Sequence, residues 1–303
     1  MGANARVPFV PSCLVSKQLL ILGGGFGLYG YLPAAIEANW RVSTLERYEN
    51  FINNRIELVD FVNQITFLRE ESLDLNSFGG IVVARNPTEQ FKFVLESSNY
   101  NGHYFLEKPI GNTKETSLEL LNILHARASS FSIAYLFRYQ DWYKEVFSAA
   151  RDNYNMLINW KIPHTKKNSW KNDPTLGGGV LSYYGIHLLA LIAELRIEPE
   201  NLQLFYKSDI LRIESNKSSK LLQIELSTSS TPAFEISLSS PGGSFHWSGA
   251  SPFGPIPIAG IPDPRIPGLT QYLSESRERK DSIKILILER RIQELRDTIS
   301  RFL

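Results

Sequence analysis

Short apolar runs alternate with segments of helical spacing through the first half of the chain. Such runs, bounded by turn residues, are typical of strands buried on both faces of a parallel sheet. The predicted strands are residues 19–22, 41–45, 80–84, 104–106 and 132–136. The predicted helices are residues 32–38, 88–98 and a segment through Ala128 that Asn112 and Glu115 would cap. Residues 56–62 and 65–68 fit either a strand or a helix. This alternation predicts a parallel sheet with helices on its faces.

The pattern changes after about Phe137. Predicted strands now follow one another closely, and one helix, from Gly179 to Leu195, interrupts them. The strands are residues 156–162, 202–206, 210–214, 221–226 and 234–238. Because strands without intervening helices usually pair antiparallel, we expect an α+β arrangement with a large, mostly antiparallel sheet.

Two further segments follow these strands. Residues 241–272 are rich in proline and glycine but too apolar for disorder. We therefore expect an ordered long loop that covers a site or reaches a neighbouring subunit. Apolar residues then recur every three or four positions from Ile285 to Phe302, which predicts a helix docked on its own domain.

A cluster of glycines comes directly after the first predicted strand. Its members are Gly23, Gly24, Gly25, Gly27 and Gly30. Strand, glycines, helix and second strand together are the layout of a dinucleotide-binding βαβ unit. Glycines there permit a tight turn and a close approach of the backbone to a pyrophosphate, which the helix N-terminus also attracts. The G-x-G-x-x-G motif starts either at Gly25 or at Gly23, and we prefer Gly23 because it follows the strand immediately.

These patterns predict three regions in the chain. We expect a loose tail over residues 1–16 and a Rossmann domain over residues 17–136. A second α/β domain over residues 137–303 would bind substrate and form oligomers. The predicted fold class is thus α/β, with a parallel N-terminal sheet and a mostly antiparallel C-terminal one.

The second strand ends at Glu46, where dinucleotide-binding domains place an acidic residue that accepts hydrogen bonds from the adenosine ribose. Its charge would repel a 2′-phosphate, so we expect NAD rather than NADP. Arg47 is the counter-argument, since a guanidinium beside this position pairs well with that phosphate. Gly23, Gly25, Phe26 and Gly27 complete the predicted cofactor contacts in this unit.

Composition narrows the class of protein further. The 303 residues are 43% hydrophobic and 21% charged, with a net charge of +1. We therefore expect neither a nucleic-acid nor a membrane partner, and no apolar run approaches the roughly 18 to 20 residues of a membrane span. Cys13 is the single cysteine and the five histidines are scattered, so we expect no disulfide, no metal site and a cytoplasmic location.

Three positions outside the glycine cluster are candidates for chemistry. Lys108 follows a strand at the carboxyl edge of the parallel sheet, where ligands bind in such folds. Tyr183 and His187 lie four residues apart on one helix face, after three consecutive glycines. Arg138 follows the transition between the two halves. Each has a structural alternative, namely a surface lysine, a buried histidine bonded to a carbonyl, and a solvated arginine.

The order of these elements resembles the Gfo/Idh/MocA family of nicotinamide-dependent oxidoreductases, named for glucose–fructose oxidoreductase and inositol dehydrogenase. The matching signals, in family order over most of the chain, are residues 23–33, Asn86-Pro87, Glu107-Lys108-Pro109, Arg138 and residues 170–187. The combination of Glu-Lys-Pro with a later Gly-Gly-Gly and Gly-x-His is the more specific part.

The resemblance implies hydride transfer between a nicotinamide and a carbon of a sugar or cyclitol. It implies a catalytic pair, Lys108 and His187, with Arg138 and Trp170 near the substrate. It also places Asn86, Pro87, Glu107 and Lys108 at the cofactor. This chain departs from the family where an aspartate is usual four residues before the histidine, because Tyr183 stands there. Two further departures are Ala190, at a second acidic position, and Gln90, at a position often occupied by histidine.

The leading hypothesis is therefore an NAD-dependent oxidoreductase acting on a sugar-like alcohol or ketone, including nucleotide sugars. His187 would be the base and Lys108 would hold the substrate oxygen. We hypothesise that Tyr183 joins proton transfer, with its phenolate favoured by Lys108 and the oxidised nicotinamide. The alternative from another class is an inactive dinucleotide-binding sensor or assembly subunit. A homodimer or homotetramer built on the second domain is expected, with Leu202, Leu204 and Leu221 as candidate contacts.

Overall fold

Two six-stranded sheets form the framework of the computed structural model, which describes residues 17–150, 154–164, 169–207, 210–217, 220–275 and 279–300. The predicted tail over residues 1–16, Cys13 and Phe302 lie outside the described residues. The first sheet has the order β3-β2-β1-β4-β5-β6, and all its strands pair in parallel. Its strands are β1 Gln18–Leu22, β2 Arg41–Leu45, β3 Ile65–Leu68, β4 Gly80–Val83, β5 His103–Leu106 and β6 Ser130–Ile133.

Helices and short turns connect these strands. The helices are α1 Leu32–Glu37, α2 Glu49–Asn53, α3 Pro87–Glu96 and α4 Lys114–Ala126. The sheet order is that of a dinucleotide-binding fold, so the predicted parallel sheet is confirmed. The open segment 56–68 resolves into a 3₁₀ turn, Val59–Gln64, followed by β3.

Two local predictions in this half were wrong by one to three residues. The cap of α4 is Thr113, which accepts a hydrogen bond from the Thr116 amide, while Asn112 bonds instead to the Thr116 hydroxyl. The last strand ends at Ile133, because its partner β5 ends at Leu106 and leaves no ladder for the apolar residues that follow. Those residues enter a 3₁₀ turn, Leu136–Tyr139.

The second sheet has the order β12-β11-β7-β10-β9-β8. Its strands are β7 Tyr154–Pro163, β8 Leu202–Lys207, β9 Ile210–Lys217, β10 Lys220–Ser229, β11 Ala233–Ser240 and β12 Gly243–Gly249. Only β7 and β10 pair in parallel, so the prediction of a mostly antiparallel sheet is confirmed. One face of this sheet packs against α5, Asp141–Ala149, and against a π-helical turn, Val180–Gly185, that leads into α6, Ile186–Glu194.

The segment predicted as one long loop contains two elements. Its beginning is strand β12, where Phe245 and Trp247 alternate with polar residues, and its end is helix α7, Ile266–Ser274. The high proline and glycine content obscured both. Helix α7 packs against α1, so residues late in the chain complete the layer that covers the first sheet.

The C-terminal helix α8, Arg279–Ser300, packs against α6 and also against α4 and β6. It therefore contacts both halves of the molecule rather than its own domain alone. The boundary predicted at residue 136 stays a prediction.

One described helical stretch, Pro174–Glu194, is long and apolar enough to cross a membrane by length and composition. However, 67% of its most apolar window is buried inside the protein. Such burial is typical of a core helix, and α6 fills that role with Leu188, Leu189 and Leu191 almost wholly buried.

Candidate active site

The turn after β1 needs glycine for steric reasons. Gly23 follows Leu22 directly with φ of +136°, and a Cβ added there would lie 2.0 Å from the carbonyl oxygen of Ala84. Gly25 has φ of +58°, and the space a Cβ would enter is open. Gly30 instead makes room for the ring of Phe26, which would lie 2.3 Å from an added Cβ. This geometry favours the register that starts at Gly23, with an open glycine backbone where a phosphate would approach.

A cavity of 190 Å³ lies beside this turn and draws on both halves of the chain. It contains Phe26 from the glycine turn, Glu107 and Lys108 from the end of β5, and Tyr183 and His187 from the second half. The structure thus brings five of the predicted site residues together. Their convergence depends on β5 ending at the carboxyl edge of the first sheet, as expected for ligand sites in this fold.

The long segment before α7 covers one side of the cavity. Residues 250–253, 256, 257, 264 and 265 line it. The carbonyl of Pro252 accepts a hydrogen bond of 2.8 Å from the indole nitrogen of Trp142 in α5, which ties the segment down. The segment was predicted either to cover a site or to reach a neighbouring subunit, and the structure shows it in contact with the cavity.

Lys108 lies in the cavity against Tyr183. Its ammonium donates a 2.8 Å hydrogen bond to the carbonyl of Tyr183 and lies 4.2 Å from the centre of that residue's ring. Burial lowers the pKa of Lys108 to about 7; the charge of Glu107 opposes this shift, while Arg265 and Lys171 add to it. A lysine with a pKa near 7 exchanges protons readily at neutral pH.

The backbone around Lys108 is held from two sides. Buried Gln90 accepts a 2.8 Å hydrogen bond from the Glu107 amide and donates one of 2.9 Å to the Glu107 carbonyl. The Glu107 side chain accepts a hydrogen bond from Tyr31, and burial raises its pKa. From α8, the guanidinium of Arg296 donates to the carbonyl of Gly111 at 3.1 Å and to the Ser182 hydroxyl at 3.0 Å. Arg296 therefore joins the loop after Lys108 to the turn that carries Tyr183.

Tyr183 contacts Lys108 through its carbonyl and the face of its ring. Burial raises the pKa of the Tyr183 phenol, with the positive charge of Arg265 only partly opposing the shift. The shift is opposite to the one hypothesised from the sequence, because desolvation of the phenolate outweighs the charge of Arg265, and Glu107 and Tyr29 raise the pKa further. Trp170 packs edge-on against the Tyr183 ring at 5.4 Å, so it reaches the site through that ring.

His187 is 3% exposed and stacks on Phe137 with ring centres 4.6 Å apart. Burial lowers its pKa well below the usual value, and the charges of Lys108 and Arg265 add to the shift. The imidazole is therefore neutral at pH 7. Its Nδ1 atom is buried without a hydrogen-bond partner among the described residues.

Sequence reasoning missed two cations in the cavity, Lys171 and Arg265. Arg265 forms a two-point ion pair with Asp263 at 2.7 and 2.8 Å, and its guanidinium lies 3.8 Å from the centre of the Phe26 ring. Lys171 lies 5.0 Å from the centre of the Tyr183 ring. Lys171 adjoins Trp170, which was a usable signal, whereas nothing in the local pattern around Arg265 marks it.

Arg138 lies elsewhere. Its guanidinium pairs with Glu194, which also accepts a hydrogen bond from Tyr143. It lines a different cavity, together with Tyr139 and Tyr272. The predicted contact between Arg138 and a substrate in the Lys108 cavity has no support in this arrangement, because a carboxylate already occupies the guanidinium.

The other predicted cofactor residues lie at the carboxyl edge of the first sheet, outside the cavity lining. Glu46 follows β2, is half-exposed, and pairs with Arg69 at 3.3 Å. Arg47 pairs with Glu70 at 2.7 Å. Asn86 caps α3 by accepting a hydrogen bond from the Glu89 amide, and Pro87 takes the first position of that helix. Among the described residues, no group of three or more histidine, cysteine, aspartate or glutamate side chains is placed to hold a metal ion.

Comparison with known proteins gives a fold match without a sequence match. No protein-family model matches this chain, and no curated protein matches it significantly. A 3-ketoreductase from Actinomadura kijaniata, in complex with NADP and TDP-benzene, has a TM-score of 0.65 at 10% identity. The match covers 94% of this chain and 97% of that one.

Two further solved structures match this chain over a similar share of its length. A myo-inositol dehydrogenase from Corynebacterium glutamicum has a TM-score of 0.62 at 13% identity, covering 93% of this chain and 96% of its own. The WlbA dehydrogenase from Thermus thermophilus, in complex with NAD and UDP-GlcNAcA, has a TM-score of 0.65 at 13% identity, covering 94% of each chain. The predicted fold class is confirmed: this chain has the fold of these dehydrogenases.

Proposed function

We propose that this protein is a nicotinamide-dependent oxidoreductase that acts on an alcohol or ketone group of a sugar-like substrate, nucleotide sugars included. The observation that carries the proposal is the position of Lys108. Its ammonium lies in one cavity with Phe26 of the glycine turn and His187 of the second half. A proton-transfer group beside a dinucleotide turn is the minimum that alcohol oxidation requires.

The fit of the cofactor rests on the glycine turn. Gly23 and Gly25 adopt backbone angles that other residues rarely adopt, and the space beside Gly25 is open to a phosphate. When bound, the nicotinamide accepts the hydride of a carbinol carbon or returns it to a ketone. The fold is shared with solved structures that contain NAD or NADP, which also supports the assignment.

Lys108 would handle the proton in this reaction. In oxidation the neutral amine takes the proton of the hydroxyl while the carbon–oxygen double bond forms, and in reduction the ammonium returns it. Neutral His187 would hydrogen-bond the same oxygen and orient it. This order of roles differs from the one expected from the sequence, because burial keeps His187 from carrying a proton near pH 7.

The proposal is tested by titrating the purified protein with NADH and NADPH and then following cofactor reduction with a panel of sugars, cyclitols and nucleotide sugars. We expect binding of at least one cofactor and turnover of at least one panel member. Absence of binding would reject the proposal. Tight binding without any turnover would favour the inactive sensor or assembly subunit instead.

We expect NADH to bind about tenfold more tightly than NADPH. Glu46 follows β2, where its charge would repel a 2′-phosphate. Its exposed ion pair with Arg69 offsets that charge only in part, and Arg47 pairs with Glu70. Dissociation constants from fluorescence titration measure the preference. Glu46→Gln keeps the size of the side chain and removes its charge, so it should reduce the difference between the dissociation constants of NADH and NADPH. Tighter binding of NADPH by the unaltered protein would contradict the assignment.

We expect a homodimer or homotetramer that uses the open face of the second sheet. Leu157 and Phe205 are 50% and 52% exposed on that face, and Leu221 lies near Leu157 on the neighbouring strand. The earlier candidates Leu202 and Leu204 were wrong, because both pack towards the core. Light scattering at micromolar concentration should give a multiple of the chain mass, and Leu157→Asp should lower it. A monomeric unaltered protein would reject this prediction.

A further inference from the structure

The cavity carries an excess of positive groups. Three cationic side chains, Lys108, Lys171 and Arg265, line it, and Glu107 is its only lining carboxylate among the described residues. The Glu107 carboxylate accepts a hydrogen bond from Tyr31. Arg265 is balanced by its own two-point ion pair with Asp263. Within the described part of the chain, Lys108 and Lys171 have no ion-pair partner, and of these two only Lys108 donates a side-chain hydrogen bond, to the Tyr183 carbonyl.

The surroundings of Lys171 leave its ammonium poorly compensated. Its described contact is the face of the Tyr183 ring, and its Nζ makes no hydrogen bond or ion pair with the residues that the structure describes. A ring face compensates a cation only weakly compared with a carboxylate. The loss of water lowers the pKa of Lys171 and the charge of Arg265 adds to that shift, while Tyr29 and Glu107 oppose it without reversing it. A bound anion would supply the partner that this ammonium lacks.

We propose that the substrate carries an anionic group, a carboxylate or a phosphate, and that Lys171 binds this group. The inference rests on the proposed function and specifies the substrate class of the same cavity. Arg265 would contribute to the positive potential without contacting the anion by its fork, since Asp263 occupies that fork.

The position of Lys171 favours a substrate contact over a cofactor contact. It belongs to the turn Trp170–Asn172 of the second half and faces the Tyr183 ring. Arg265, in contrast, stacks on Phe26 of the glycine turn, which is the side where the cofactor would bind. The two cations thus contact rings from different halves of the chain, Lys171 the ring of Tyr183 and Arg265 the ring of Phe26.

Matched pairs of compounds test the inference. We would compare neutral glucose with three anionic compounds, glucuronate, glucose 6-phosphate and UDP-glucose, on the unaltered protein and on Lys171→Met and Lys171→Arg. Turnover and direct binding to the NADH-loaded protein are both measured. Lys92→Met is the control, because Lys92 is a surface lysine with 73% of its side chain exposed.

We expect the anionic member of a pair to be preferred. Loss of a charge-assisted hydrogen bond should lower its kcat/KM and its binding by about 10- to 100-fold in Lys171→Met, mainly through KM. The neutral member should change less than twofold, and Lys171→Arg should recover most of the loss. A carboxylate and a phosphate are distinguished by which member of the glucose set responds.

Three results would overturn the inference. The first is equal use of neutral and anionic members with an equal effect of Lys171→Met on both. The second is weaker NADH binding in Lys171→Met with unchanged sugar binding, which would assign Lys171 to the cofactor. The third is NADH binding without binding of any anionic compound in the set. Failure of the proposed function itself is separate, since it would show as absence of cofactor binding.

Discussion

Lys108→Met should lower kcat/KM for hydride transfer by about 100- to 10,000-fold, the usual contribution of a positioned acid or base. Methionine keeps much of the length of the side chain but has no group that accepts a proton. Cofactor binding should change little, because the described contacts of the ammonium are with Tyr183. Steady-state kinetics and NADH titration measure the two effects, with Lys92→Met as a surface control.

The pH dependence gives Lys108 a second signature. Its pKa is lowered to about 7, so the neutral amine required for alcohol oxidation predominates above that pH. Oxidation kcat/KM should therefore rise with pH up to about 7 and level off above it. Ketone reduction needs the ammonium and should fall above about 7. A Lys108→Met protein that kept more than a tenth of the activity with the same profile would contradict the assignment.

The variant Tyr183→Phe distinguishes the role of Lys108 in proton transfer from that of the Tyr183 hydroxyl. The ring and the carbonyl that Lys108 contacts remain in this variant, and burial raises the pKa of the phenol that it removes. We expect turnover within tenfold of the unaltered protein and an unchanged pH profile. A loss of 100-fold or more with an altered profile would instead establish the hydroxyl as a proton-transfer group.

Gly23→Ala should destabilise the protein by about 3 kcal/mol and abolish dinucleotide binding. The added Cβ would lie 2.0 Å from the Ala84 carbonyl oxygen, a backbone atom, and φ of +136° is strained for alanine. The turn must therefore move away from the sheet edge. Denaturant unfolding and NADH titration measure both consequences.

Gly24→Ala is the matched control for this prediction. A Cβ at Gly24 would meet Tyr48 at 3.5 Å, an ordinary contact, and no positive φ is involved. We expect its stability to stay within about 1 kcal/mol of the unaltered protein. If Gly23→Ala bound NADH as tightly as Gly24→Ala, the turn would not be the cofactor site.

The local pattern alone was enough for the elements of the first half. Buried strands such as β1 and β4 are continuous apolar runs, and glycines at the end of β1 reflect a backbone that only glycine adopts easily. These are short-range properties, so they can be predicted from the local sequence without knowing which segments pack against it. The exact ends of β6 and the cap of α4 could not be predicted in this way. The end of β6 depends on a neighbouring strand, and the cap of α4 depends on a choice between adjacent polar residues.

Which side chains share the cavity, and what charge they carry, depends on contacts between distant segments of the chain. Arg265 reaches Phe26 from more than 200 positions along the chain, whereas Arg138 is taken up by Glu194 and lies elsewhere. The pKa shifts of Lys108, Tyr183 and His187 have burial as their largest cause. Burial and ion pairing are sums over distant segments, and a local sequence pattern contains no record of them. The parallel sheet, the glycine turn and the candidate lysine could thus be predicted from local sequence, whereas packing sets the pKa and the neighbours of that lysine.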